Sequence, residues 1–286
     1  MKPGTLYLCA TPIGNLEDIT LRVLRVLREV DLIAAEDTRH TRKLLAHYDI
    51  HTPLISFHEH NRLKQGAYLL EQLQSGRNVA LVSDAGMPGI SDPGEDLVSG
   101  AIARGITVVP CPGPSAALTA LVASGLPASS FCFEGFLPAV APARRRRLEK
   151  LKGEERTMIF YEAPHRLLKT LADMVEVLGD RPVTVARELT KLHEEFWRGT
   201  LSGAGEYFSG RPLKGEFTLV VAGRTGSNGG GARPEPWEKL TPAEHVHMLC
   251  ARGMPKKEAI KEVARLRGLP RREVYNHMVK VDMGES

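Results

Sequence analysis

Three loops rich in glycine and proline, each directly after a short apolar run, constrain this chain more than any other feature. Ala10-Thr11-Pro12-Ile13-Gly14-Asn15 follows Leu6-Tyr7-Leu8, and Ser83-Asp84-Ala85-Gly86-Met87-Pro88-Gly89-Ile90-Ser91-Asp92-Pro93-Gly94 follows Val79-Ala80-Leu81-Val82. The third, Pro110-Cys111-Pro112-Gly113-Pro114-Ser115-Ala116, follows Ile106-Thr107-Val108-Val109. Glycine lets backbone approach a ligand closely, and proline holds a loop in one shape. An apolar strand, an exposed loop and then a helix start is how an α/β sheet builds a small-molecule site at its carboxyl edge.

The pattern around these loops extends the reading. Up to residue 125, strand-like runs at 6–9, 32–35, 54–57, 79–82 and 108–109 alternate with helical patterns, so a mostly parallel sheet wrapped by helices is expected. Beyond Pro127, strand-like runs at 131–136, 157–161, 183–188, 196–200 and 217–222 follow one another with fewer helices (143–152 and 165–178), which predicts a mixed or antiparallel sheet. Residues 226–238, rich in glycine, read as a flexible linker. Thr241-Pro242-Ala243-Glu244 then opens three short helical patterns resembling a helix-turn-helix module. The expected organisation is an N-terminal α/β domain (1–125), a second α/β domain (126–225), the linker and a basic helical module (239–286).

Charge is placed unevenly. The net charge is only +4, yet residues 252–280 carry nine Lys/Arg against three Asp/Glu, and residues 142–157 carry seven against three, including Arg144-Arg145-Arg146-Arg147. Clustered basic charge is the footprint of a polyanion, most often nucleic acid, although a solvated helix face gives the same pattern. Residues 105–133 hold no charge, but Pro110, Pro112, Pro114 and Pro127 keep every run short of the roughly 20 residues a spanning helix needs. The first residues lack the apolar stretch of a signal peptide. Four cysteines without CxxC spacing fit reduced thiols, so a cytoplasmic protein with no membrane segment is expected.

Several familiar sites are excluded. Gly203-Ala204-Gly205 lacks the third glycine of a dinucleotide fingerprint, Gly215 is followed by Glu216 where a P-loop has lysine, and no Gly-x-Ser-x-Gly elbow occurs. His58-Glu59-His60 and His245-Val246-His247 would put two imidazoles on one face of a strand. No third ligand is evident, so no metal site is assigned.

The three loops, together with Ala35-Glu36-Asp37-Thr38-Arg39-His40-Thr41, Phe160-Tyr161-Glu162-Ala163-Pro164-His165-Arg166-Leu167 and Ala186-Arg187-Glu188-Leu189-Thr190-Lys191, resemble the tetrapyrrole methylase family of S-adenosylmethionine (SAM)-dependent enzymes. With the basic C-terminal module, the likeness is to the branch that modifies small-subunit ribosomal RNA. The resemblance implies a homodimer with SAM in a cleft between two domains, and 2′-O-methylation of a cytidine in the decoding region. It implies cofactor contacts from Pro12, Asp84, Met87, Ser115, Ala116, Tyr161 and Ala186. Such a donor carries no phosphate, in keeping with the missing phosphate motifs. Asp37, Arg39 and Glu188, with Glu36 and Lys191, fall just after expected strands and are candidates for the chemistry. A structural ion pair and helix cap is the competing reading of Asp37 and Arg39. Two other functions stay open: methylation of a small tetrapyrrole, which needs no basic module, and non-catalytic RNA binding, which leaves the three loops unexplained.

Overall fold

A computed structural model describes residues 2–224, 240–251, 253–267 and 269–282. Met1–Arg224 form one compact unit and Thr225–Ser286 a second. The linker expected at 226–238 lies outside the described residues, as do the side chains of Arg252, Arg265 and Lys280.

In the first unit, β1 (Thr5–Cys9), β2 (Leu32–Ala35), β3 (Leu54–Ser56), β4 (Val79–Val82) and β5 (Thr107–Cys111) form a sheet ordered β3-β2-β4-β1-β5. All of its pairings are parallel. β2 and β4 are buried on both faces, which is why they read as unbroken apolar runs. Helices α1 (Leu21–Glu29) and α2 (Thr38–His47) cover one face through Val23, Leu27, Leu44 and Leu45. Helices α3 (Arg62–Gln74) and α4 (Gly94–Ala103) cover the other through Leu69, Leu73, Leu97 and Ala101. The chain therefore leaves β1 toward one face and leaves the adjacent β4 toward the opposite face. Between these two strands lies the switch point, where open α/β sheets hold their ligands.

The second sheet comprises β6 (Phe131–Phe136), β7 (Thr157–Glu162), β8 (Pro182–Arg187), β9 (Glu195–Thr200) and β10 (Phe217–Val221), ordered β6-β7-β10-β8-β9. It is mixed: β6 and β7 run parallel and the other pairs antiparallel. One face is covered by α6 (Ala141–Leu151), α7 (Leu167–Leu178) and α8 (Leu201–Ser209), which bury Leu148, Leu171, Met174 and Phe208. The other face packs on α5 (Ala116–Ser124), through Ala117, Ala120 and Leu121 against Ile159, Ala186 and Val220. Because α5 leaves the first sheet directly from the β5 loop, it ties both sheets to the same ligand loop.

Four sequence expectations need correction. Helix α8 was not expected, and the glycines of the failed dinucleotide fingerprint belong to it. Thr200 caps it by accepting from the Gly203 N–H, and Gly203 leaves room for the Trp197 ring, 3.3 Å from where a Cβ would stand. His58-Glu59-His60 lies beyond β3 in a turn before α3 rather than on a strand, and His245 and His247 are on a helix. The helical pattern over 115–124 begins one residue later than expected, at Ala116, with Ser115 as its N-cap.

The arginine run is not a free basic patch. Arg144 is buried and donates to Asp173 at 2.7 Å, Arg145 reaches Asp173 at 2.8 Å and Glu176 at 3.0 Å, and Arg147 pairs with Glu134. Three of the four arginines are thus held by carboxylates of their own unit.

The second unit consists of α9 (Pro242–Ala251), α10 (Lys256–Arg267) and α11 (Arg271–Asp282) around a small core of Ala243, Val246, Ala259, Val263, Val274 and Met278. Its first helix opens as the sequence suggests, with Thr241 and Glu244 exchanging hydrogen bonds in a capping box.

Candidate active site

At the switch point, the loops after β1 and β4 are joined. The Thr11 N–H donates to the Gly86 carbonyl at 2.9 Å and the Gly86 N–H returns to Thr11 at 3.0 Å. Gly86 adopts φ +82°, a left-handed conformation that glycine reaches without penalty. The Asp92 carboxylate folds the rest of the β4 loop by accepting from the N–H groups of Gly89 and Gly94, both at 2.8 Å. The β5 loop approaches as closely, since a Cβ at Gly113 would stand 2.8 Å from that of Ala10.

These loops form one wall of a cleft of about 440 Å³. Ile13, Glu36, Asp84, Met87, Ser115 and Ala116 line that side, and Phe136, Tyr161, Leu189 and the segment 215–218 line the opposite side. Tyr161 is held edge-on by Phe133 and tilted on Phe136, with ring centroids 5.0 and 5.6 Å away, and burial raises its pKa. Glu36, Asp84, Asp92 and Glu216 border the cleft, whereas the Glu162 carboxylate is buried against Thr170 and Arg166, and no Lys or Arg lines the cleft among the described residues. Burial, followed by the charges of Asp84 and Asp92, raises the Glu36 pKa. A phosphate-bearing cofactor would be repelled here. A donor with a sulfonium and an ammonium group suits both the charge and the apolar Ile13, Met87, Leu189 and Phe217.

A second cavity, of about 450 Å³, adjoins the first and shares Ile13, Ser83, Asp84, Ala85 and Glu216 with it. Its remaining walls include Pro12, Gly14, His40, Lys43 and Lys191.

The expected site residues separate accordingly. Asp84, Met87, Ser115, Ala116 and Tyr161 line the first cleft, Asp84 lines both, and Pro12 lines the second. Ala186 is buried beneath the cleft in the α5 contact and faces neither cavity. Asp37 and Arg39 also lie outside both linings. Asp37 caps α2, accepting from the Arg39 N–H at 2.8 Å and from its guanidinium at 2.7 Å, which holds the carboxyl well below the usual range. The contribution of Asp37 to the cleft is its backbone N–H, which donates to Asp84 at 2.9 Å. Glu188 accepts from Lys191 at 2.9 Å and from the Glu216 N–H at 3.0 Å. Asp92 lies in the β4 ligand loop and Phe217 and Thr218 in an expected strand, but none of them, nor Gly215 and Glu216, is among the expected site residues. A positive φ of +88° at Gly215 marks the turn that brings the segment 215–218 in, but only long-range packing shows where it goes.

Residues 5–205 match the family model for Tetrapyrrole (Corrin/Porphyrin) Methylases. Along 275 residues, covering 96% of this chain and 94% of the relative, the chain is 56% identical to ribosomal RNA small subunit methyltransferase I of Halalkalibacterium halodurans. The chain belongs to this methyltransferase family. A relative of the same name from Thermotoga maritima is 53% identical over 221 residues, which cover 77% of this chain and 99% of that protein. Among solved structures, uroporphyrin-III C-methyl transferase from Thermus thermophilus, complexed with S-adenyl homocysteine, shares the fold with a TM-score of 0.52 at 19% identity, over 77% of this chain and 97% of that one. In this methyltransferase fold, the acid-lined cleft is the place where the residues present fit SAM.

Proposed function

We propose that this protein uses SAM to methylate the 2′-hydroxyl of a cytidine ribose in the decoding region of small-subunit ribosomal RNA. The carrying observation is an acid-lined cleft, free of Lys and Arg among the described residues, at the switch point of a chain 56% identical to a small-subunit rRNA methyltransferase. SAM supplies a methyl group on a cationic sulfur. The protein's part is to hold that sulfur among carboxylates, exclude water with Phe136, Tyr161 and Leu189, and align the acceptor with the methyl carbon. Asp84 stands where the two cavities meet and is fixed by the Asp37 N–H. Asp37 and Glu188 act by fixing Asp84 and Lys191, and Arg39 holds Asp37. The experiment incubates labelled SAM with small subunits lacking the modification and, separately, with a porphyrinoid. Label on a single cytidine ribose supports the reading; label on the macrocycle, or on neither, overturns it.

The active form in this reading is a cytoplasmic homodimer. In support, α5 is apolar all round, burying Ala117, Ala120 and Leu121 but leaving Leu118 50% and Val122 77% exposed on its outer side. Val122→Glu should shift the protein to monomers in light scattering, and an unchanged mass would remove α5 from the interface. Among the described residues, no helix is long and apolar enough to cross a membrane.

A further inference from the structure

The two adjoining cavities share Asp84 and Glu216 but differ in the cations that border them. Among the described residues, the first is bordered by Glu36, Asp84, Asp92 and Glu216 and by no Lys or Arg, while the second sets His40 and Lys43 from α2 on one wall and Lys191 on another against the shared Asp84 and Glu216. In-line transfer places the accepting atom within contact of the donor carbon. With the donor in the acidic cleft, the volume across Asp84 is where an acceptor can reach it.

Lys191 is unusually well fixed for a surface lysine. Its Nζ donates to Glu188 Oε1 and Glu216 Oε2, both at 2.9 Å. Burial pulls the ammonium toward deprotonation, but the hydrogen bonds to Glu216 and Glu188 outweigh it and raise the pKa. Two carboxylates in contact with its Nζ favour the charged ammonium of Lys191.

The turn that carries it is strained, since Glu188 and Thr190 adopt φ +50° and +64° without being glycine. Strain of about 1 kcal/mol or more per residue persists only where the surroundings enforce it, and it gathers at functional sites. Here the enforcement is visible. Thr190 Oγ1 accepts from the Asn15 N–H at 3.0 Å, and Gly14 lies so close that a Cβ there would collide with the Lys191 side chain and stand 2.9 Å from the Leu189 carbonyl. The β1 loop and the 188–191 turn thus clasp each other, and the clasp aims Lys191 into the second cavity. An ammonium has three N–H donors, and the third has no protein partner among the described residues.

Resting on the methyl-transfer reading above, we propose that the second cavity is the acceptor pocket for one unstacked nucleotide, with Lys43 meeting its phosphate and Lys191 hydrogen-bonding its ribose. The volume admits a single nucleotide and no duplex, so the acceptor must leave its stack to enter. Pro12, Leu16 and Leu44 offer apolar surface for the base, and Lys43 supplies the charge a phosphate requires.

The test uses the full chain, labelled SAM and unmodified small subunits. Lys191→Met should lower kcat by about 100-fold, the order expected from losing one positioned donor to the developing charge, while leaving SAM affinity, read by calorimetry, within about twofold. Lys191→Arg, which keeps the cation, should recover at least about a tenth of the rate. Lys43→Ala should act mainly on KM for the subunit, raising it about fivefold and flattening its salt dependence. Wild-type kcat in Lys191→Met, or loss of SAM affinity in step with kcat, would overturn the assignment, the latter by placing Lys191 at the donor or in the scaffold alone. Failure of the wild-type protein to label the subunit at all would instead defeat the methyl-transfer reading.

Discussion

Individual charges in this protein are governed by what faces them, not by their neighbours in sequence. Asp173 is buried between two arginines. Burial raises its pKa, but hydrogen bonds from Arg145 and Arg144 outweigh that and lower it. Asp173→Asn leaves the Arg144 guanidinium buried without its counter-charge, and removing one partner of such a pair costs about 3 kcal/mol or more. Because the folded-state pKa lies below the unfolded one, Asp173 stabilises the fold above about pH 4 and ceases to as pH falls through its folded value. Denaturant melts should show the gap between variant and wild type closing in acid. Glu36 has the opposite sign. Its pKa is raised by burial and by Asp84 and Asp92, so the fold binds its proton more tightly than the unfolded chain and stability drops as pH rises. Glu36→Gln should therefore raise Tm by about 2 °C at pH 7 and by nothing near pH 4. It should also weaken SAM binding about tenfold, the order expected from losing one partly buried opposite charge. A variant that binds SAM fully at an unchanged Tm would remove Glu36 from the donor cleft.

At the scale of elements, the ligand loops were legible because glycine and proline mark them locally, and the alternating helices and strands because period and burial agree. What was not legible depends on distant partners. The arginine run at 144–147 looks like an RNA patch until Asp173, Glu176 and Glu134 are seen against it. Helix α8 hides behind Gly203 and Gly205, whose low helix propensity is overridden by the burial of Leu201, Ala204 and Phe208 and by Gly203 packing under Trp197. The strand that carries the far wall of the cleft is legible at 217–222, but its place at the cleft is not, because a long-range strand pairing brings it in. For Asp37 and Arg39 the sequence allows either chemistry or a cap, and the geometry commits their side chains to the cap. The close approach of the β5 and β1 loops carries its own prediction. Gly113→Val must push Ala10 away, because the first added carbon already stands at 2.8 Å. SAM affinity should fall at least about tenfold, with the Tm lowered by only a few degrees (about 3 °C). Undiminished SAM affinity in the folded variant would show that the spacing of these loops does not shape the donor cleft.

For the whole molecule, the question is what the basic second unit adds to a first unit that already contains both cavities. The T. maritima relative is matched along 99% of its length by 221 residues of this chain, close to the extent of the first unit alone. The second unit has its own core and its own charge. Lys257 and Lys261, one helical turn apart on α10, and Arg271 and Arg272 at the start of α11 are exposed, and Tyr275 nearby is 56% exposed. Arg267 has a different task, donating to the Leu240 carbonyl at 2.6 Å and so fastening the start of α9. Exposed cations beside an aromatic suit RNA phosphates and an unstacked base. Ending the chain after Arg224 should accordingly leave SAM affinity within about twofold. Affinity for the small subunit should fall, and its logarithmic dependence on salt should flatten by about 3 units for the loss of four phosphate contacts. Filter binding of both proteins across a salt series reads the two effects together. If the shortened protein binds the subunit with the same affinity and the same slope, the second unit does not dock RNA, and the exposed lysines and arginines of α10 and α11 are only a solvated face.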